Sequence, residues 1–171
     1  MEVLEAINAR ISVRNFKDQP VPKEDVLRLV QAGLRAPTAG NIQPWFFYVV
    51  MDNKLKNSLA EAALGQNFIA SAPVVIVTCA EPEASAKIYG DRGRYLYCIQ
   101  DTAAAVENIM LAAVSLGLGS CWIGAFDEGK VAGLLSMPRG RRPVAVIPVG
   151  YPEKEKAGTA RKPLHTVMEF C

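Results

Sequence analysis

Runs of apolar residues with few interruptions predict three buried β-strands. They cover residues 45–51, 74–79 and 144–149, and each is rich in aromatic or β-branched side chains. Runs without polar alternation are typical of strands that are buried on both faces of a sheet. A fourth, short strand is predicted within residues 117–124, where glycines stand on both sides of an apolar segment.

Apolar residues at helical spacing predict helices around these strands. The predicted helical ranges are 2–10, 23–36, 53–66 (one helix or two short ones), 95–116 and 127–135, the last capped by Asp127. The segment 81–94 is polar and contains two glycines, so we expect a mobile loop there and a candidate lid over a substrate.

Length and charge limit the class of protein. The 171 residues fit one domain with a sizeable core, and we treat 1–171 as a single domain because no linker or repeat divides it. The apolar stretches are shorter than a membrane span, and the acidic N-terminus is unlike a signal peptide, so we expect a soluble, cytoplasmic protein. A formal net charge of +2 argues against a nucleic-acid surface.

The cysteines and the histidine do not predict a metal site. Four cysteines stand without metal-ligand spacing, and His165 is the one histidine in the sequence. Zinc and a disulfide framework are therefore disfavoured, and three of the cysteines are expected to act as small buried hydrophobes. We expect His165 to be structural or exposed.

A polar loop before the first strand is a candidate ligand site. Proline and glycine interrupt residues 36–44, and Thr38, Asn41 and Gln43 supply a hydroxyl and two amides. A loop held at the mouth of a buried sheet is suited to presenting such groups to a ligand. An ordinary helix-to-strand connection is the alternative that composition alone favours.

Basic residues near the N-terminus form a candidate anion site. In an extended segment, Arg10, Ser12 and Arg14 point to one side and Ile11 and Val13 to the other. Two guanidiniums flanking a hydroxyl suit a phosphate. A solvated basic loop is the alternative, and a solvated surface loop is also the simplest interpretation of the basic turn 138–143.

Four separated segments resemble one known family. They are Arg-x-Ser-x-Arg-x-Phe at 10–16, Pro-Thr-x-x-Asn-x-Gln-Pro-Trp at 37–45, Gly-x-Gly-Ser-Cys-Trp-Ile-Gly at 117–124 and Arg-Lys-Pro-Leu at 161–164. In this order they resemble motifs of the nitroreductase family of FMN-dependent oxidoreductases. The chain departs from these motifs at three places. Ile11 stands where the family often has a basic residue, and Thr38 stands where serine is usual. His165 and Thr166 stand where the family commonly has acidic residues. Trp122 in place of a third glycine excludes a Rossmann fingerprint.

The resemblance implies an α+β fold with a mixed β-sheet flanked by helices on both faces, in an intertwined homodimer. Segments 10–14 and 161–164 would hold the FMN phosphate, and the backbone of 122–124 would lie against the flavin ring, where its N–H groups could donate. The polar loop would reach the flavin bound mainly by the other subunit. The implied cofactor-binding residues are Arg10, Ile11, Ser12, Val13, Arg14, Pro37, Thr38, Asn41, Gln43, Trp122, Ile123, Gly124 and Arg161.

The implied activity is ping-pong hydride transfer from NADH or NADPH, through flavin N5, to an electron-poor acceptor such as a nitroaromatic or quinone. No side chain is assigned as an acid or base, and no metal is expected. Two alternatives stay open. One is another FMN enzyme on the same scaffold (a dehalogenase, an enoyl or semialdehyde reductase, or a flavin-fragmenting enzyme). The other is a non-catalytic FMN-binding dimer.

Overall fold

A four-stranded antiparallel sheet lies between two layers of helices in the computed structural model, which describes residues 1–154 and 158–171. The strand order is β1-β2-β4-β3. The strands are β1 (Trp45–Val50), β2 (Val74–Ala80), β3 (Gly119–Ser120) and β4 (Arg142–Gly150). An isolated bridge between Ser12 and Ser120 adds a parallel contact beside β3, so the sheet is mixed through that bridge.

Seven α-helices occur within the described residues. They are α1 (Val3–Ala9), α2 (Lys23–Gly33), α3 (Asn53–Ala62), α4 (Phe68–Ser71), α5 (Pro82–Arg92), α6 (Cys98–Ser115) and α7 (Glu128–Leu134). Short 3-10 turns occupy Ala39–Asn41 and Leu164–Thr166, and a π-helical turn, Gly93–Tyr97, joins α5 to α6. No helix in these residues is both long enough and apolar enough to cross a membrane.

The side chains of β2 alternate between two hydrophobic cores. Val75, Val77 and Cys79 face one core, which α3, α4 and α7 cover. Val74 and Ile76 face the other, where α2 and α6 supply the packing partners. The predicted α+β class, with helices on both faces of the sheet, is confirmed.

Most predicted elements are present with boundaries close to those expected. The strands at 74–79 and 144–149 are confirmed, and Asp127 caps α7 by accepting a hydrogen bond from the Lys130 N–H at 2.9 Å. The segment 53–66 contains α3 and then leads to α4. His165 was expected to be either structural or exposed, and it is exposed.

The prediction of an irregular loop at 81–94 was wrong, whereas the expectation that this segment is mobile and acts as a lid stays a prediction. This segment forms α5 and the start of the π-helical turn, although its polar composition gives little apolar periodicity. Its backbone is held by close packing: a Cβ added to Gly93 would lie 2.4 Å from the Ser85 carbonyl oxygen. The helix predicted from residue 95 begins at Cys98, because the π-helical turn occupies the residues before it.

The prediction that residues 45–51 are buried on both faces was also wrong for the single chain. β1 pairs with β2 and lies at the edge of the sheet. Phe46 is 40% exposed, Val49 43% and Met51 50%. A run of apolar residues is compatible both with a central strand that is buried on both faces and with an edge strand that leaves some apolar side chains exposed. The pattern alone therefore could not distinguish a central strand from an edge strand.

Candidate functional site

The segment that carries the N-terminal arginines lies beside β3. The N–H of Val13 donates to the carbonyl oxygen of Ser120 at 2.9 Å, and the Val13 side chain is buried. A glycine is required opposite it, since a Cβ added to Gly119 would lie 2.6 Å from Val13 Cγ2. This pairing fixes the extended backbone, so the residues on either side of Val13 point away from the core.

Those outward side chains line a cleft of about 780 Å³. Five of the predicted cofactor-binding residues meet there, although they come from opposite ends of the chain: Arg10, Ile11, Ser12, Arg14 and Arg161. Three guanidiniums and a hydroxyl converge on one volume, which is a donor set suited to a phosphate. The residues predicted to hold a phosphate therefore line one cleft, with Ile11 as an apolar wall, and their binding of a phosphate stays a prediction.

One carboxylate interrupts the positive charge of the cleft. Glu107 of α6 lines it, and its Oε1 atom lies 3.8 Å from Arg10 Nε. The Arg10 side chain is 18% exposed and that of Glu107 46%, so the pair is only partly shielded from solvent. On the other side, the Arg14 guanidinium lies 5.8 Å from the centre of the Phe68 ring, which supports it from α4.

The polar loop, residues 37–43, is closed by hydrogen bonds of its own. The N–H of Gln43 donates to Thr38 Oγ1 at 3.1 Å, and Gln43 Nε2 donates to Asn41 Oδ1 at 3.3 Å. Gly40, Asn41 and Gln43 have positive φ values of 56°, 56° and 55°. Left-handed backbone at non-glycine residues costs on the order of 1–3 kcal/mol each and persists only where the surroundings enforce it.

Two contacts outside the loop enforce its conformation. Asp101 of α6 accepts a hydrogen bond from the Ala39 N–H through Oδ1 at 3.1 Å. From α5, the Tyr89 hydroxyl approaches so closely that a Cβ added to Gly40 would lie 2.6 Å from it. Burial raises the pKa of the Asp101 carboxyl, and the Ala39 N–H opposes that shift.

Residues 122–124 follow closely after Ser120, the residue that pairs with the segment bearing Val13. Trp122 and Gly124 are exposed, and a Cβ at Gly124 would meet nothing within 4 Å. Ile123 is different, because its side chain is buried and its N–H donates to the Val146 carbonyl oxygen at 3.0 Å. The expectation that the Ile123 N–H donates to a flavin is corrected here, and the predicted ring contact rests on the other two residues.

The chain therefore brings five of the thirteen predicted cofactor-binding residues to one cleft. Within residues 1–154 and 158–171, the cleft lining does not include the remaining predicted residues: Val13, Pro37, Thr38, Asn41, Gln43, Trp122, Ile123 and Gly124. In the same part of the chain, no cluster of three potential metal ligands is present.

The sequence interpretation missed the roles of Glu107, Asp101 and Tyr89. For the first two a signal was available, since they are charged residues within an otherwise alanine- and aliphatic-rich helix. Tyr89 lay in the segment that was expected to be a mobile loop, so its contact with Gly40 could not be anticipated.

Comparison with known proteins agrees with this arrangement. The sequence matches the profile described as the nitroreductase family over residues 7–70 and 62–151. This chain belongs to the nitroreductase family. A protein of Archaeoglobus fulgidus with the provisional name NADH dehydrogenase/NAD(P)H nitroreductase is 36% identical to this chain. The match covers 91% of this chain and 88% of that protein.

Two further members of the nitroreductase family extend the comparison. A Thermus thermophilus protein named NADH dehydrogenase is 31% identical over 98% of this chain and 97% of its own length. The crystal structure of the NADPH:FMN oxidoreductase of Vibrio harveyi, complexed with NAD+, superposes with a TM-score of 0.89 at 28% identity. It covers 98% of this chain, which spans 76% of that protein. The nitroreductase fold of this chain follows from these similarities.

Proposed function

We propose that this protein is an FMN-dependent oxidoreductase that uses NADH or NADPH as its reductant. Family membership supports a flavin oxidoreductase activity in general, and a solved relative carries NADPH and FMN in its name. The observation that carries the proposal for this chain is the cleft in which Arg10, Arg14 and Arg161 converge.

The cleft residues fit the phosphate end of FMN. Its volume of about 780 Å³ lies within the range of small-molecule and cofactor sites. In this proposal the three guanidiniums bind the phosphate, and the Ser12 hydroxyl donates a further hydrogen bond. Glu107 keeps Arg10 oriented before binding. When bound, FMN supplies the ring that accepts a hydride and passes it on.

In the proposed reaction, NAD(P)H and the acceptor occupy the same place in turn, so the kinetics are ping-pong. The acceptor class is an electron-poor compound such as a nitroaromatic or a quinone. The protein contributes binding, orientation and backbone donors that favour negative charge on the reduced ring. We assign no side chain as acid or base.

The same proposal includes a homodimer in which the polar loop of each subunit completes the partner's flavin site. Exposed apolar side chains support it: Val3 is 69% exposed, Leu4 72% and Phe170 91%. Such groups are rarely left in water in large patches, and they often mark interfaces. Light scattering during size-exclusion chromatography tests this point, and a monomer that binds FMN tightly would contradict the shared site.

The first experiment is the visible absorption spectrum of the purified protein, before and after anaerobic addition of NADH or NADPH. We expect a flavin band that bleaches. A band that persists with both nucleotides would contradict the reductase activity and favour a non-catalytic FMN-binding dimer. A protein that is colourless and does not take up added FMN would overturn the proposal altogether.

Arg14→Ala tests the phosphate cleft directly. Loss of one charge-assisted contact to phosphate corresponds to about 1.5–3 kcal/mol, so we expect FMN affinity to fall by roughly 10- to 150-fold. Arg28→Ala is the matched control, because Arg28 lies on the surface of α2 and pairs with Asp25 at 3.2 Å. Equal FMN affinities for the two variants would contradict the assignment of the cleft.

A further inference from the structure

A single carboxylate connects the long helix α6 to the polar loop. Asp101 is 6% exposed, and its Oδ1 atom accepts the Ala39 N–H across 62 residues of sequence. Its Oδ2 atom is buried and has no hydrogen-bond partner within the described residues. A buried carboxyl oxygen without a hydrogen-bond partner lowers the stability of the folded state, so Asp101 is an unfavourable residue at this position on stability grounds alone.

The loop that Asp101 contacts needs such a connection. Its left-handed residues do not hold themselves in place, and the hydrogen bonds within the loop tie its members to one another. The bond from Ala39 to Asp101 instead ties the start of the loop to the core. The helix that carries Asp101 is itself joined to α2, since Asn108 donates to the Ala32 carbonyl oxygen at 3.2 Å.

We propose that Asp101 is a positioning residue for the cofactor site. By holding the Ala39 N–H, it fixes the conformation in which Thr38, Asn41 and Gln43 are presented to the flavin of the partner subunit. The inference rests on the proposed function for its effect on FMN, whereas the anchoring of the loop is a property of the protein without cofactor. Oδ2 of Asp101 makes no hydrogen bond within the described residues, so the hydrogen bond that this carboxylate supplies is the one accepted by Oδ1 from Ala39.

The test separates loss of the acceptor from loss of the charge. Asp101→Leu removes the acceptor with a side chain of the same branched shape but larger volume. Asp101→Asn keeps an acceptor oxygen, removes the charge and replaces the other oxygen by an amide donor. Asp52→Leu is the matched control: Asp52 Oδ1 also accepts a backbone N–H, that of Leu55 at 2.8 Å, at the start of α3. Its loss destabilises a helix end without touching the loop.

Two measurements are made on each variant. The first is hydrogen exchange at the Ala39 amide in the cofactor-free protein, and the second is the FMN dissociation constant. For Asp101→Leu we expect both the exchange rate and the dissociation constant to rise about tenfold, as for loss of one buried hydrogen bond. For Asp101→Asn we expect both to stay within about threefold of wild type, and for Asp52→Leu within about twofold.

The outcomes distinguish the two proposals. Unchanged exchange in Asp101→Leu, or an equal loss in Asp101→Asn, would overturn the anchoring role. Faster exchange with unchanged FMN affinity would overturn the positioning role while leaving the oxidoreductase proposal intact. Wild-type protein that fails to bind FMN would overturn the proposed function, and the exchange data would still report on the anchor.

A second variant covers the case in which Asp101→Leu does not fold. Ala39→Pro deletes the donor instead of the acceptor, and proline is tolerated here because Ala39 is the first residue of the 3-10 turn and Thr38 before it is extended. We expect the same rise of about tenfold in the FMN dissociation constant. Wild-type affinity in this variant would count against the proposal.

Discussion

Arg141 lies just before β4 and contacts both β1 and the N-cap residue of α5. Its removal should therefore lower the stability of the protein. Its Nη2 and Nε atoms donate to Glu81 Oε1 at 2.6 and 3.1 Å, and Nη1 donates to the Tyr48 hydroxyl at 2.9 Å. The guanidinium also lies 3.6 Å from the centre of the Phe46 ring. The basic turn was expected to be solvated, and for Arg141 that expectation was wrong.

The size of the effect follows from these contacts. Charge-assisted hydrogen bonds are worth about 1.5–3 kcal/mol, and a partly desolvated cation–π contact adds about 1 kcal/mol. The Glu81 side chain is 37% exposed, which screens the ion pair, and methionine at 141 would keep part of the packing. We therefore expect Arg141→Met to lower the free energy of unfolding by about 2–3 kcal/mol. The corresponding fall in Tm is about 4–12 °C for a chain of this size.

Urea denaturation followed by circular dichroism measures this loss, with Arg139→Met as the control. Arg139 is exposed in the same turn, so its replacement should change the free energy of unfolding by less than about 0.5 kcal/mol. A double-mutant cycle with Glu81→Gln should give a coupling of about 1 kcal/mol or more. Equal stabilities of the 139 and 141 variants would refute the reasoning.

Two further predictions concern packing and thiols. Gly119→Ala should lower both Tm and FMN affinity, because its Cβ would lie 2.6 Å from Val13, whereas Gly133→Ala, with nothing within 4 Å, should be neutral or stabilising by about 0.5–1 kcal/mol. A thiol reagent at pH 8 should label the exposed Cys171 and leave Cys79 unlabelled until the protein unfolds. Burial raises the pKa of Cys79 from 9.0 to about 12 in the folded protein. Between these two pH values the thiol ionises in the unfolded chain but stays protonated in the folded one. The wild-type protein should therefore lose stability relative to Cys79→Ala as the pH rises from 9.0 to about 12. A parallel pH dependence of the two proteins would contradict the burial of that thiol.

Local pattern predicted the elements whose determinants are local. The β2 run is apolar at every position except Thr78 because both of its faces are covered, and the structure buries all seven of its residues. Asp127 was predicted to cap α7 because a cap needs only its own turn. The alternation of residues 10–14 likewise predicted Arg10, Ser12 and Arg14 on one side, and all three line the cleft. Ile11 was predicted on the other side, but it lines the cleft as well.

Properties that depend on distant residues could not be predicted in this way. The side chains of β1 look alike in sequence, yet Phe46 and Val49 are exposed because β1 is at the sheet edge. The segment of α5 lacks an apolar stripe, and its helix is secured by backbone contact with Gly93. The environment of Arg141 depends on Glu81, which lies 60 residues earlier.

The candidate site shows the same division between local chemistry and long-range placement. Each motif carries its own chemistry: guanidiniums in one, amides in another and, in the third, a short buried strand followed by the exposed Trp122. Helix α6 relates the first two, because it places Glu107 in the basic cleft and Asp101 beneath the polar loop. The loop nevertheless stays outside the cleft lining of its own chain, so in the proposed site one protomer would present two separate half-sites. In the homodimer that we propose, each half-site would meet its complement from the partner, and α6 would set the spacing between the two half-sites of one protomer.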